Sequence, residues 1–143
     1  MAQLPGVELV SLQKGPGTEQ LRAVADRFAV TDLGSRLDET TGPFVETAAV
    51  MISLDLVIAP DTAIAHLAGA LGVPVWLALP FAPEWRWLLG RDDSPWYPSM
   101  RLFRQQQPGN WSEVFTRIAD AARQLVARRA HPRPLPGAGA NQA

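Results

Sequence analysis

The chain of 143 residues contains no cysteine, one lysine and two histidines. Without a thiol, a disulfide framework, a thiolate-held metal and a cysteine nucleophile are all excluded. No apolar run is long enough to span a bilayer, and the N-terminus lacks the basic start and apolar stretch of a signal peptide. The expected location is therefore the cytoplasm, with no membrane span. Charge is scarce as well. Only 19% of residues are charged and the net charge is -1, which gives no electrostatic footing for nucleic acid or an anionic membrane. Among 13 basic residues Lys14 is the single lysine, which draws attention to where it stands.

What is present is a core. At 47% hydrophobic, the chain is long enough to bury one globular domain, expected over residues 1–129. Residues 130–143, ending in HPRPLPGAGANQA, have too little apolar content to fold and are expected to form a disordered tail. Val7 to Gln13 reads as a first strand leading into Lys14-Gly15-Pro16-Gly17. Leu21, Val24, Ala25 and Phe28 follow at helical spacing with Thr18 as cap, and Phe28 to Leu33 reads as a second strand ending at Asp32. A polar loop from Gly34 to Pro43 precedes a helix over Phe44 to Leu54 that packs Val45, Ala48, Ala49 and Ile52.

The organising stretch is Asp55 to Leu79, DLVIAPDTAIAHLAGALGVPVWLAL. A short apolar strand, Leu56 to Ala59, has the composition of a strand covered on both faces. The helix after it begins at Asp61 or Thr62 and closes at Gly72 and Pro74. Ile64, Leu67, Ala68 and Leu71 make its predicted sheet-facing stripe, which leaves Thr62, His66 and Gly69 opposite. No charge occurs between Asp61 and Glu84, so the opposite face needs a cover: a helix, a ligand or another domain. A Trp- and Pro-rich connection over Pro80 to Ser99 leads to a short strand at Arg101 to Arg104. Asn110 and Glu113 have capping-box spacing before a last helix whose face is Val114, Ile118, Ala121, Ala122 and Leu125. Alternating strands and helices predict a three-layer, Rossmann-like α/β domain with a parallel sheet and right-handed crossovers.

In such a sheet, ligands bind at the carboxyl ends of the strands. Lys14 with Gly15 and Gly17, Asp32, and Asp61 with Thr62 converge there. The Lys-Gly-Pro-Gly segment is either only a turn or a phosphate contact built from amides and one ammonium; it matches neither a Walker A loop nor a dinucleotide fingerprint. Asp61 either caps its helix or fixes the turn and meets a sugar hydroxyl, while Thr62 and the helix amides hold a diphosphate. His66 is either a packing residue or a donor to a phosphate oxygen as a leaving nucleotide gains charge. One histidine in this segment with no clustered carboxylates gives no metal site, and no nucleophile elbow is present. Trp76, Trp85, Trp87 and Trp96, with Phe81 and Tyr97, either bury the long loop or form a stacking or domain-contact surface.

The run DLVIAPDTAIAHLAGALGVPVW, then LPFAPEWRWLLGRDDSPWYPSMRLFRQ, then GNW before the last helix, resembles the C-terminal domain of family 9 glycosyltransferases. That family includes the ADP-heptose:lipopolysaccharide heptosyltransferases, and the likeness is strongest to the glycosyltransferase domain that follows tetratricopeptide repeats in bacterial proteins. The resemblance spans about Val7 to Leu125. It implies the C-terminal, donor-binding half of a GT-B fold, a nucleoside diphosphate sugar as substrate, and no metal or other cofactor. By position, Lys14 would meet the donor phosphates, Asp61, Thr62 and His66 would line the donor pocket, and Gly15 and Gly69 would permit close approach. The family's acceptor-binding N-terminal domain, which supplies the catalytic base, is not in this sequence. No catalytic residue is therefore assigned, and little or no turnover is expected from this chain alone. At Gly42-Pro43-Phe44-Val45-Glu46 the chain also departs from the family's Asp-Phe-x-Asp pattern. The expected partners are the donor and an acceptor domain, a repeat region or a second copy meeting the apolar helix face. The rival reading is a Rossmann-like assembly module with no catalysis, and a third is an internal start within a longer reading frame.

Overall fold

The computed structural model describes residues 4–40 and 42–130. In chain order it contains β1 (Val10–Ser11), α1 (Glu19–Val24), β2 (Thr31–Asp32), α2 (Val45–Ile52), β3 (Val57–Pro60), α3 (Ala63–Ala70), β4 (Val75–Leu79), a 3-10 turn (Trp85–Trp87), β5 (Met100–Arg104) and α4 (Trp111–Ala130). All pairings between these strands are parallel. They fall into two sheets where one was expected: β1 pairs with β2, while β3, β4 and β5 form a second sheet in that order. A cavity of about 270 Å³ lies between the two, lined by residues 10–13 on one side and 56–60 on the other.

The three-stranded sheet carries the three layers. Along β4, Val75, Leu77 and Leu79 point into one cluster with Val57, Ala59, Met100, Leu102, Met51 of α2 and Ala65 and Ala68 of α3. Ala78 points the other way, with Phe103 of β5 and Val114, Ile118 and Ala121 of α4, and Trp76 packs against the same cluster. This alternation is the period-two geometry of a strand with helices on both faces. Burying each of Val75, Leu77 and Leu79 contributes about 1.5–3 kcal/mol, and all three have no exposed surface. The face predicted for α4 is the face observed, with Val114, Ile118, Ala121 and Ala122 buried. The Glu113 amide donates to Asn110 Oδ1 at 3.3 Å, as the capping-box spacing requires. The expected tail falls outside the described residues except for Ala130, which ends α4.

Helix α2 buries a different stripe from the predicted one, whereas α3 keeps Ile64, Leu67 and Ala68 of its predicted stripe against the core, loses Leu71 and buries a second side as well. In α3 the buried residues are Ala65, Ala68 and Gly69; Ile64 and Leu67 are half-buried against the core, and Leu71 is exposed. The small side chains face inward because a second layer, the connection after β4, lies over this helix as well. In α2, Thr47 and Met51 are buried while Val45 and Ile52 are exposed. The phase here is set by Asp38, whose carboxylate accepts from the Glu46 amide (2.8 Å), the Thr47 amide (3.2 Å) and the Thr47 hydroxyl. Glu46 returns its carboxylate to the Asp38 amide. An aspartate eight residues upstream thus does the work of an N-cap and turns Thr47 inward. Helix α3 ends as predicted: Gly72 has φ +72, its amide donates to Gly69, and the Val73 amide donates to Ala68. That pair of bonds is a Schellman end, which favours glycine because its φ is positive.

The β1–α1–β2 region is shorter throughout than its sequence pattern predicts. The two strands are two residues each, and α1 has six residues with none buried. Thr18 precedes α1 without capping it; its hydroxyl donates to the Gly15 carbonyl at 3.0 Å instead.

Candidate functional site

The carboxyl ends of β1, β3 and β5 carry the polar residues. After β1, Lys14 and Gly15 line a cavity of about 370 Å³ with Gln13, Thr18, Arg22 and Asp32. Gly15 has φ +74, a conformation that L side chains rarely adopt. The Lys14 ammonium donates to the Leu37 carbonyl and stands 3.8 Å from Glu39. It is 45% exposed, so one charge faces the cavity region while tethered to the polar loop.

After β3, Asp61 and Thr62 lead into α3. Thr62 occupies the N-cap position with extended backbone, but its hydroxyl makes no capping bond and donates to Pro60 at 3.4 Å. The Ala65 and His66 amides bond back to the Thr62 carbonyl. The first turn of α3 has no acidic residue, so the partial positive charge at its N-terminus is uncompensated from within the helix. Thr62 and Ile64 border the 270 Å³ cavity, and Gln13 is common to both cavities. Lys14 and Thr62 therefore line adjoining spaces and not a single one.

Asp61 and His66 belong to a tighter cluster. Asp61 Oδ2 accepts from the Trp87 indole N–H at 2.7 Å. His66 stacks on Trp87 with ring centroids 5.3 Å apart and an interplanar angle of 26°. Its Nδ1 is 3.1 Å from the Tyr97 hydroxyl, and its Nε2 is 3.5 Å from Asp61 Oδ1. The Tyr97 hydroxyl and His66 Nδ1 share one hydrogen bond that holds the ring in place. Nε2 is long for a hydrogen bond to Asp61, which leaves it open to an incoming ligand. Gly69 has a different occupant from the one expected. A Cβ at this position would stand 2.7 Å from Tyr97 Cγ, so the close approach that Gly69 permits is that of the Tyr97 ring.

Trp87 and Tyr97 were noticed in the sequence only as members of an aromatic cluster. The structure makes them the cover of the charge-free face of α3. Trp87 is fully buried, whereas Trp85 and Trp96 are 71% and 58% exposed. Loop burial is thus right for one half of the cluster and not for the other. A third missed residue is Arg104 at the end of β5. Its Nη2 donates to the carbonyls of Trp87 (3.1 Å) and Leu88, and burial pushes its guanidinium below the ordinary arginine value. Among the described residues no group of three His, Asp or Glu side chains is placed to hold a metal ion. No described helix is long and apolar enough to cross a membrane.

The chain is similar to protein FlbA of Caulobacter vibrioides, with 36% identity over 128 residues, covering 86% of this chain and 20% of FlbA. The chain thus spans about a fifth of the length of that curated relative. No protein-family profile matches it, and no solved structure matches it.

Proposed function

We propose that this chain is the donor-binding half of a GT-B glycosyltransferase and binds a nucleoside diphosphate sugar at the carboxyl edge of its strands. The observation that carries the reading is the start of α3. There a helix N-terminus with no acidic first turn stands beside Asp61, Thr62 and His66. The first-turn amides of α3 suit a diphosphate, with Lys14 as an ammonium on the β1 side. The Asp61 carboxylate is repelled by phosphate and suits a sugar hydroxyl. His66 Nε2, when protonated, suits the leaving diphosphate, where developing charge is stabilised most. The family resemblance over Val7 to Leu125 supports the same assignment. Attack by an acceptor hydroxyl requires groups from a facing domain, so the proposal for this chain is binding without turnover. Calorimetric titration of ADP, GDP, UDP and CDP into the chain tests it. Binding of at least one, weakened about tenfold by Lys14→Ala, is the expected result. No heat with any of them contradicts the reading.

A second reading, an assembly module, is favoured by the exposure of Trp85, Trp96 and Leu89 on the connection after β4. The α3 face first considered for that purpose is covered on the His66–Gly69 side by the chain's own Trp87 and Tyr97. Light scattering separates the two readings: a stable oligomer that binds no nucleotide favours assembly.

A further inference from the structure

Arg104 is a guanidinium lacking an anion. It is partly buried, forms no ion pair among the described residues, and its Nη1 is buried with no hydrogen-bond acceptor. Its Nη2 makes do with two backbone carbonyls. An incompletely partnered buried charge is destabilising, and a guanidinium fork is shaped for two oxygens of a carboxylate or phosphate. One of the carbonyls it grips belongs to Leu88, whose backbone at φ 49 and ψ 179 lies in a region that favours glycine.

The sheet register places this group in line with the α3 start. Pro60 is level with Ala78 and Ala78 with Phe103, while Leu79 is level with Arg104. Asp61, one residue beyond Pro60, is therefore level with Arg104, with Leu79 between them and about 10 Å across two strand spacings. Trp87 bridges the two, its indole N–H on Asp61 and its carbonyl on Arg104. The Arg104 position thus flanks the start of α3 from the β5 side, as Lys14 stands on the β1 side.

We propose that Arg104 is a second cationic contact for the diphosphate, exchanging the Leu88 carbonyl for a phosphate oxygen when ligand arrives. The identity of the anion rests on the donor-binding reading, whereas the anion site itself rests on Arg104. One phosphate oxygen takes the place of the Leu88 carbonyl on Nη2 and a second meets Nη1, which has no acceptor among the described residues, and the Leu88 backbone is released from its left-handed conformation.

The test uses the full chain, inorganic pyrophosphate and the four nucleoside diphosphates, with Arg104→Gln and Arg104→Lys beside the native protein. Pyrophosphate is expected to bind, to lose about tenfold or more in affinity with Arg104→Gln, and to recover in part with Arg104→Lys. The Arg104 Nε–H resonance should shift on adding pyrophosphate. That signal also decides the matter if Arg104→Gln fails to fold, since an unmoved Nε–H overturns the proposal. Unchanged affinity in Arg104→Gln overturns the assignment of Arg104 and leaves donor binding standing. Arg104-dependent pyrophosphate binding with no nucleoside diphosphate bound upholds the anion site and removes the nucleotide reading. Binding of neither overturns both.

Discussion

The two ends of the domain are built to different standards. From β3 through α4, three strands are covered on both faces, and Val75, Leu77, Leu79, Trp87, Val114 and Ile118 have no exposed surface. From β1 through β2, two strands of two residues and a six-residue helix bury nothing completely. Yet the weaker region carries Lys14 and Gly15, and the stronger one carries Asp61, Thr62, His66 and Arg104. The difference teaches where the free energy sits: the β3–α4 unit supplies the stability, and the β1–β2 unit supplies charge and chain that can adjust. Regions with few buried contacts open at low free-energy cost, and a ligand touching both regions would order the weaker one on the stronger.

The largest expected effect is at the cover of α3. Trp87→Ala empties a fully buried site and removes the partner of Asp61, and should cost about 3–5 kcal/mol in chemical denaturation, unfolding the β3–α4 unit. A loss below about 1 kcal/mol would show that this cover is not part of the core. Next comes Gly69→Ala. An alanine in an exposed helix interior is worth up to about 1 kcal/mol over glycine, but here the methyl meets Tyr97, so a loss of about 1–3 kcal/mol is expected from overpacking. The sign is the point: stabilisation would mean that Tyr97 does not lie on Gly69. Tyr97→Ala in the same chain should reverse the penalty of Gly69→Ala, whatever its own cost.

A smaller effect belongs to the joint between the regions. The Thr47 hydroxyl, followed by the Thr47 and Glu46 amides and the charge of Lys14, holds the Asp38 carboxyl below its ordinary value of 3.8, with burial opposing. A depressed folded-state pKa contributes stability that is complete above the unfolded value and is lost as pH falls through the lowered one. Melting curves should therefore lose stability on the acid side of pH 3.8, and Asp38→Asn should be less stable at neutral pH with a flatter acid limb. Parallel acid limbs in the two proteins would remove Asp38 from the cap of α2. The smallest effect is at α1, where Leu21→Ala should cost less than about 1 kcal/mol because the helix buries no residue. A larger loss would raise the β1–β2 region to the standing of the core.

The order of elements was legible from the sequence because it depends on local signals. Gly72 with Pro74 ended α3, the Asn110–Glu113 pair began α4, and the α4 stripe was long enough to define its own phase. The buried face of α2 and the second, covered side of α3 at Ala65 and Gly69 were not legible. An eight-residue helix of Ala, Gly and Leu has several stripes of similar hydrophobicity, and the one that turns inward is chosen by residues far along the chain: Tyr97 over Gly69, Asp38 on Thr47. The site followed the same division. Lys14, Gly15, Asp61, Thr62 and His66 were named from strand ends and helix starts, and the structure sets Lys14 and Gly15 in one cavity and Asp61 with His66 in one cluster. Trp87, Tyr97 and Arg104 were out of reach because their importance lies in what they touch, which no spacing records. The division of the sheet between β1 and β3 has no local signal either.

Hydrogen exchange of the full chain, with and without a saturating nucleoside diphosphate, tests the central claim most directly. The amides of β4 and α3 should be protected to the level of global unfolding in both states. Those of residues 10–17 and 31–33 should exchange by local opening in the free chain and become protected, along with the start of α3, when nucleotide is bound. Equal protection of both regions in the free chain, or no change at Lys14 and Thr62 on adding nucleotide, would contradict the account.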